Sequence, residues 1–269
     1  YVQTTVELST QRIQLVLVVN TKEETNKLQE AIEVLWQAQP DLWHSIWLNL
    51  NTRRDNIIFG DEWNLIKGDF WLIEDLNKQR IYFHPGSFMQ ANLEMFGSML
   101  EHIEGLLPHQ ADLIEFYAGV GAIGTAVVEK CQMVKSIELN PMAQECFEET
   151  RKHLLPELAE RLSYHQGKSA DYIDLLDSLT PDKGVVVVDP PRKGLEKEVL
   201  KALCLNKNIY KIIYVSCGWP SFQEDCQRLV EAGWNVVHAE AYLFFPGSDH
   251  IEILASFEKK KGLDMGDGC

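Results

Sequence analysis

Two side chains in this sequence stand where chemistry is done. Cys217 closes the run IIYVSCGWP (212–220), and Asp189 closes the apolar part of VVVVDPPRKG (185–194). Each ends a short, continuous, β-branched stretch, the pattern of a strand buried on both faces of a parallel sheet. The valines 185–188 stop at Asp189 because Pro190 and Pro191 continue neither a strand nor a helix. A carboxylate and a thiol at neighbouring strand ends face the crevice where open α/β sheets bind ligands. Cys217 precedes Gly218-Trp219-Pro220, which reads as a loop and offers the partial exposure that a reactive thiolate needs. The bland alternative, a small buried hydrophobe, serves for the scattered Cys131, Cys146, Cys204, Cys226 and Cys269.

Two further motifs carry candidate groups. IEFYAGVGAIG (114–124) runs a strand into Gly119-x-Gly121-x-x-Gly124, a turn whose backbone can approach a ligand ahead of a helix with free N–H groups. Glu138 ends the next strand about 20 residues later, where a carboxylate can hold ribose hydroxyls. This pair suits a dinucleotide or S-adenosylmethionine equally. In FFPGSDHIEIL (244–254), Glu252 interrupts an apolar strand between Ile251 and Ile253. It is either a solvated outward residue or a partly buried base. His250 has the same two readings, with a structural role preferred.

These groups need a sheet to hold them. Strand patterns fall near 112–117, 134–138, 162–166, 185–189, 210–215, 235–243 and 250–257, with helical stretches between the earlier ones. That order predicts an α/β fold with an open, mostly parallel seven-stranded sheet, helices on both faces and a closing antiparallel hairpin. Residues 1–85 read as a smaller α+β domain: a strand at 12–19, a helix at 22–37, a strand at 42–50, and two short strands near 63–74 and 80–84. Its tryptophans 36, 43, 47, 63 and 71 are expected in the core rather than as base-stacking platforms. Residues 86–107 form a turn and a bridging amphipathic helix into a catalytic domain that extends to 258, and 259–269 read as a flexible tail.

The 269 residues carry a net charge of −15, which argues against broad, nonspecific nucleic-acid binding but leaves room for local basic strips. Arg192, Lys193, Lys197 and Lys201 form one after the proline turn, and Arg53 and Arg54 another. No run approaches a membrane span, the first residues lack a signal-peptide pattern, and no CxxC pair suggests a metal or iron–sulfur site. A cytoplasmic protein (or one inside an organelle after loss of a transit segment), acting as a monomer, is the expectation.

The Asp-Pro-Pro turn separates the cofactor readings, because base-modifying methyltransferases use it to hold a planar heterocycle and dehydrogenases have no need of it. Taken in order, Phe88-x-Gln90-x-Asn92, Tyr117-x-Gly119-x-Gly121, Asp189-Pro190-Pro191-Arg192-x-Gly194, Ser216-Cys217 and Phe245-Pro246 with His250-Ile251-Glu252 resemble the RNA uracil-5-methyltransferase family, over about residues 84–258. The resemblance implies a Rossmann-like class I methyltransferase that uses S-adenosylmethionine to form 5-methyluridine in tRNA or rRNA. It implies Cys217 as the nucleophile at C6 of a flipped-out uracil and Glu252 as the base that removes the C5 proton. Gln90, Tyr117, Gly119, Gly121, Glu138 and Asp189 then match cofactor positions, and Phe88, Asp189, Pro190 and Arg192 substrate positions. The chain departs from the family pattern at Gly218 (usually Asn), Trp219 (usually Pro), Glu224 (usually Arg) and Ala122 (usually polar). The family's iron–sulfur cysteines and small N-terminal RNA-binding barrel are not in this sequence. A methyltransferase for a non-RNA substrate and an inactive RNA-binding homologue are the alternatives.

Overall fold

The computed structural model describes residues 1–259. Four strands, β1 (Val2–Val6), β2 (Ile13–Val19), β3 (Trp43–Leu50) and β4 (Glu62–Gly68), form the first sheet in the order β1-β2-β3-β4. The β2–β3 pair is parallel, and α1 (Asn26–Ala38) makes the crossover. Thr25, rather than Lys22, starts α1, because its side chain caps the helix at the N–H of Leu28. The first strand, β1, was not legible in the sequence. It is an edge strand with only every second residue partly buried, so no apolar run marks it.

The region read as two short strands holds three: β4, then the hairpin β5 (Leu72–Leu76) and β6 (Gln79–Phe83). Leu72, Leu76, Ile81 and Phe83 pack in the same core as α2 (Leu93–Leu106) and the second sheet, so a division at residue 85 separates a hairpin from its own core. We propose a domain boundary near residue 70. Glu7 and Glu74 cross it: their carboxylates accept the backbone N–H of Ile73 and of Leu8, respectively. Trp47 is buried, and Trp36, Trp43 and Trp71 pack against core clusters.

The second sheet comprises β7 (Ala111–Phe116), β8 (Cys131–Glu138), β9 (Leu162–Gln166), β10 (Gly184–Val188), β11 (Ile209–Ser216), β12 (Trp234–Tyr242) and β13 (Glu252–Lys259). Their order is β12-β13-β11-β10-β7-β8-β9, parallel except where β13 pairs antiparallel with β11 and β12. Helices α3 (Ala122–Ala126), α4 (Pro141–Lys152), α5 (Pro156–Ala159), α6 (Lys197–Leu205) and α7 (Trp219–Glu231) lie between strands. Two large apolar clusters fill the two faces of the sheet, which explains why the valines of β10 are fully buried. Lys259 ends β13; the rest of the expected tail lies outside the described residues.

Candidate active site

Strand order brings the chemistry together. Along one edge of the sheet, β11 ends at Ser216-Cys217, β10 at Asp189, β7 at Tyr117, and β8 at Glu138. Because β13 runs the opposite way, its first residue, Glu252, starts at the edge where β11 ends. Ser216 pairs with Ile253, so Cys217 and Glu252 are the next residues in register. A single antiparallel strand thus sets a carboxylate beside a thiol from a distant part of the chain.

Gly218-Trp219-Pro220 does not form the expected loop. Gly218 is the N-cap of α7, and Trp219 and Pro220 are its first turn, so Cys217 sits just ahead of a helix N-terminus. A Cβ at position 218 would lie 2.8 Å from the carbonyl oxygen of Arg192, which accounts for glycine where the resemblance expected asparagine. The Ser221 hydroxyl donates to the Arg192 carbonyl at 2.8 Å and clamps the Asp-Pro-Pro-Arg turn onto α7. Asp225, buried in the next turn, accepts from Tyr214 Oη at 2.7 Å and from the Leu195 N–H at 2.9 Å. Glu224 beside it is exposed.

The thiol and the carboxyls feel one another. Cys217 is partly exposed; burial, then Glu252 and Asp189, push its pKa up, and Arg192 opposes them. Glu252 is only 8% exposed, and burial raises it to about 7 against the pull of Arg192. This removes the solvated reading of Glu252. Asp189 keeps some surface open to the crevice, yet loss of hydration and the carboxyls of Glu252, Glu115 and Glu138 raise it to about 8. Such a cluster titrates as a unit. His250, by contrast, is exposed, and its backbone N–H rests on the Ser248 hydroxyl.

The glycine turn fits a ligand. Gly119 (φ 54°) faces open space, whereas a Cβ on Gly121 (φ 73°) would sit 2.7 Å from the Phe147 ring. Tyr117 adopts φ 59°, rare for a bulky residue, and its hydroxyl accepts the N–H of Glu196 at 3.1 Å. Glu138 accepts the N–H groups of Gly119 and Asn140 at 3.1 and 2.9 Å, one on each oxygen. A cleft of about 50 Å³ over the turn is lined by Phe88, Gln90, Glu115, Tyr117, Gly119 and Asp189 among others, room for one end of a ligand. Phe88 is 65% exposed at its rim. Asn92 caps α2 and donates to the Phe244 carbonyl, tying this segment to the loop that precedes Glu252.

Glu115 was missed by sequence reasoning. It lies within β7, and its Oε2 accepts from Ser136 Oγ at 2.9 Å and from the Gly124 N–H at 3.2 Å, while Oε1 has no partner. Complete burial raises it to about 7. The available signal was a carboxylate between Ile114 and Phe116 in a strand buried on both faces, which is costly without a purpose. Four carboxyls crowding an open crevice is the electrostatic setting for a positively charged guest.

Comparison with known proteins decides the family. The sequence profile of tRNA (uracil-5-)-methyltransferases matches residues 8–260. The chain belongs to that family. The chain is similar to an uncharacterized RNA methyltransferase of Protochlamydia amoebophila, 36% identical over 96% of this chain and 68% of that protein. Another, from Caldanaerobacter subterraneus, is 30% identical over 94% of this chain and 55% of its own length. Among solved structures, the tRNA (uracil-54, C5)-methyltransferase of Pyrococcus abyssi in complex with S-adenosyl-L-homocysteine is similar, with TM-score 0.73, 20% identity, and coverage of 94% of this chain and 58% of that one. The chain therefore spans between half and two thirds of most of these proteins. The fold is that of an S-adenosylmethionine-dependent methyltransferase, as expected. Among the described residues, no helix is long and apolar enough to cross a membrane.

Proposed function

We propose that this member of the family methylates C5 of uridine in tRNA or rRNA through a covalent adduct on Cys217. The observation that carries the reading is the register of β11 against β13, which sets Cys217 beside a buried Glu252 of pKa about 7. Neutral uracil is a poor carbon nucleophile. Attack of the Cys217 thiolate on C6 forms an S–C6 bond, breaks the C5–C6 π bond and leaves the charge on C5 and O4. C5 then accepts a methyl group, for which S-adenosylmethionine when bound would supply the electrophilic carbon, its sulfonium–methyl bond breaking with the electron pair returning to sulfur so that S-adenosylhomocysteine is the leaving group. Glu252 removes the C5 proton, the double bond re-forms, and the thiolate leaves. A carboxylate with a pKa near the working pH suits that transfer.

The remaining residues bind and orient. Glu138 has lone pairs left for ribose hydroxyls, and Gln90, Gly119, Glu115 and Asp189 surround the place for the cationic end of the cofactor, with Gly121 giving the turn its shape. Asp189, protonated over much of the neutral range before a cation binds, can meet the uracil edge, with Pro190 stiffening its turn. Arg192 offsets the negative charge around the thiol. Phe88, Trp219 and Phe245 are exposed near the crevice and offer faces for unstacked bases, and Lys197 and Lys201 project one turn apart on α6 as cations for the backbone. Incubation with methyl-labelled S-adenosylmethionine and total RNA, followed by nucleoside analysis, tests the reading. Labelled 5-methyluridine is expected; label in another nucleoside, or none in RNA, overturns it.

A further inference from the structure

A large cavity lies beside the crevice. It has a volume of about 710 Å³ and is bounded by β1, β2, Phe59 and the segment from Phe83 to Leu93. Its size is that of a small-molecule site. It shares Phe83, Phe88, Met89, Gln90 and Leu93 with the cleft over the glycine turn, so one strand of RNA can reach both.

The lining excludes most guests. Among the described residues no Asp, Glu, Lys or Arg faces this cavity. His84 is uncharged at neutral pH, since burial lowers its pKa to about 4, and its Nδ1 accepts the Gly86 N–H at 3.0 Å. A phosphate would find no cation here. An apolar guest would leave Gln14 unanswered: this side chain is 3% exposed, lines the cavity, and its Nε2 has no hydrogen-bond partner. A buried donor without an acceptor weakens a fold, and a ligand that accepts from it gains what the fold lost. Thr5 is directly opposite Gln14 across the β1–β2 ladder and shares its face. Gln3 and Gln90 add further amides, while Phe59 and Phe88 add ring faces. An uncharged planar heterocycle with acceptors on its edge meets each of these groups.

We propose that this cavity binds a second nucleobase of the RNA, next in the strand to the target uridine, so that the enzyme selects its uridine by its neighbour. The inference rests on the RNA-methylating function proposed above. Its test uses short fluorescein-labelled oligoribonucleotides of abasic ribose carrying either a lone uracil or a uracil with one adjoining base. Affinity is measured by anisotropy in the presence of S-adenosylhomocysteine. One adjoining base is expected to tighten Kd about tenfold for the wild type. Gln14→Leu, which keeps the volume and deletes the donor, and Thr5→Phe, which fills the space, should each lose most of that gain. Lone-uracil affinity and calorimetric S-adenosylhomocysteine affinity should be unchanged in both. Gln14→Leu should melt no lower than wild type, an outcome that a merely structural role for Gln14 would not give. An adjoining base without effect, or an effect that survives both variants, overturns the subsite. Formation of 5-methyluridine by the wild type tests the underlying function separately. Product without a neighbour effect leaves that function standing and removes the subsite. A neighbour effect without product supports the subsite and removes the uracil chemistry.

Discussion

Replacing Glu252 by glutamine should make the protein more stable and nearly inactive, and the gain in stability should depend on pH. Glu252 is 8% exposed and its pKa is displaced from 4.5 to about 7, mainly by lost hydration. The folded protein holds this proton more tightly than the unfolded chain does. The site therefore contributes no penalty below pH 4.5, and a penalty that grows from there and is complete above about pH 7. At 1.36 kcal/mol per unit the full penalty is about 3.4 kcal/mol, and residual solvent screening together with the cost of burying a glutamine amide reduces what the substitution recovers to about 2–3 kcal/mol. For a chain of this size that corresponds to a rise in Tm of roughly 4–10 °C at pH 8. Glu252→Gln should gain less than about 1 kcal/mol at pH 5, where the folded side chain is neutral and only the unfolded chain has begun to ionise. Turnover should fall roughly 10²- to 10⁴-fold, the usual worth of a positioned base. Methylated RNA should remain bonded to Cys217, visible as a shifted band in denaturing gels. Melting scans at the two pH values and single-turnover methyl transfer measure both effects. Equal melting shifts at pH 5 and pH 8, or turnover close to wild type, would refute the burial of a working base.

Three further outcomes follow from the same geometry. Cys217→Ala should abolish methyl transfer and fail to form a covalent complex with 5-fluorouridine RNA, while binding S-adenosylhomocysteine normally; wild-type-like turnover would eliminate the adduct. Arg192→Met removes the cation that lowers both Cys217 and Glu252, so the rising limb of kcat/KM against pH should move to higher pH, and iodoacetamide should alkylate the thiol more slowly at neutral pH; an unmoved limb counts against the electrostatic role. Gly121→Ala forces a Cβ to within 2.7 Å of the Phe147 ring at φ 73°, and should cost roughly 1–3 kcal/mol in urea unfolding and weaken cofactor binding.

The sequence alone determined the seven-stranded sheet and the family, because fully buried strands must be continuous apolar runs and their ends are marked by proline, glycine and isolated polar residues. The glycine turn, Asp189, Cys217 and Glu138 were legible for that reason. Strand β1 was not, since an exposed edge strand needs no apolar pattern, and Gly-Trp-Pro looked like a loop although Pro220 suits the first turn of α7. Glu252 had two readings of equal weight until the β11–β13 register set it beside Cys217. Asp225 and Gln14 carried no local signal, and Glu115 only its place inside an apolar run. Their roles come from partners or empty space contributed by distant segments: Ser136 to Glu115, Leu195 to Asp225, the 83–93 segment to Gln14. Side-chain periodicity reports which face is buried, and so it fixes the elements. What a buried polar group touches depends on strand order and register, which only the assembled sheet defines.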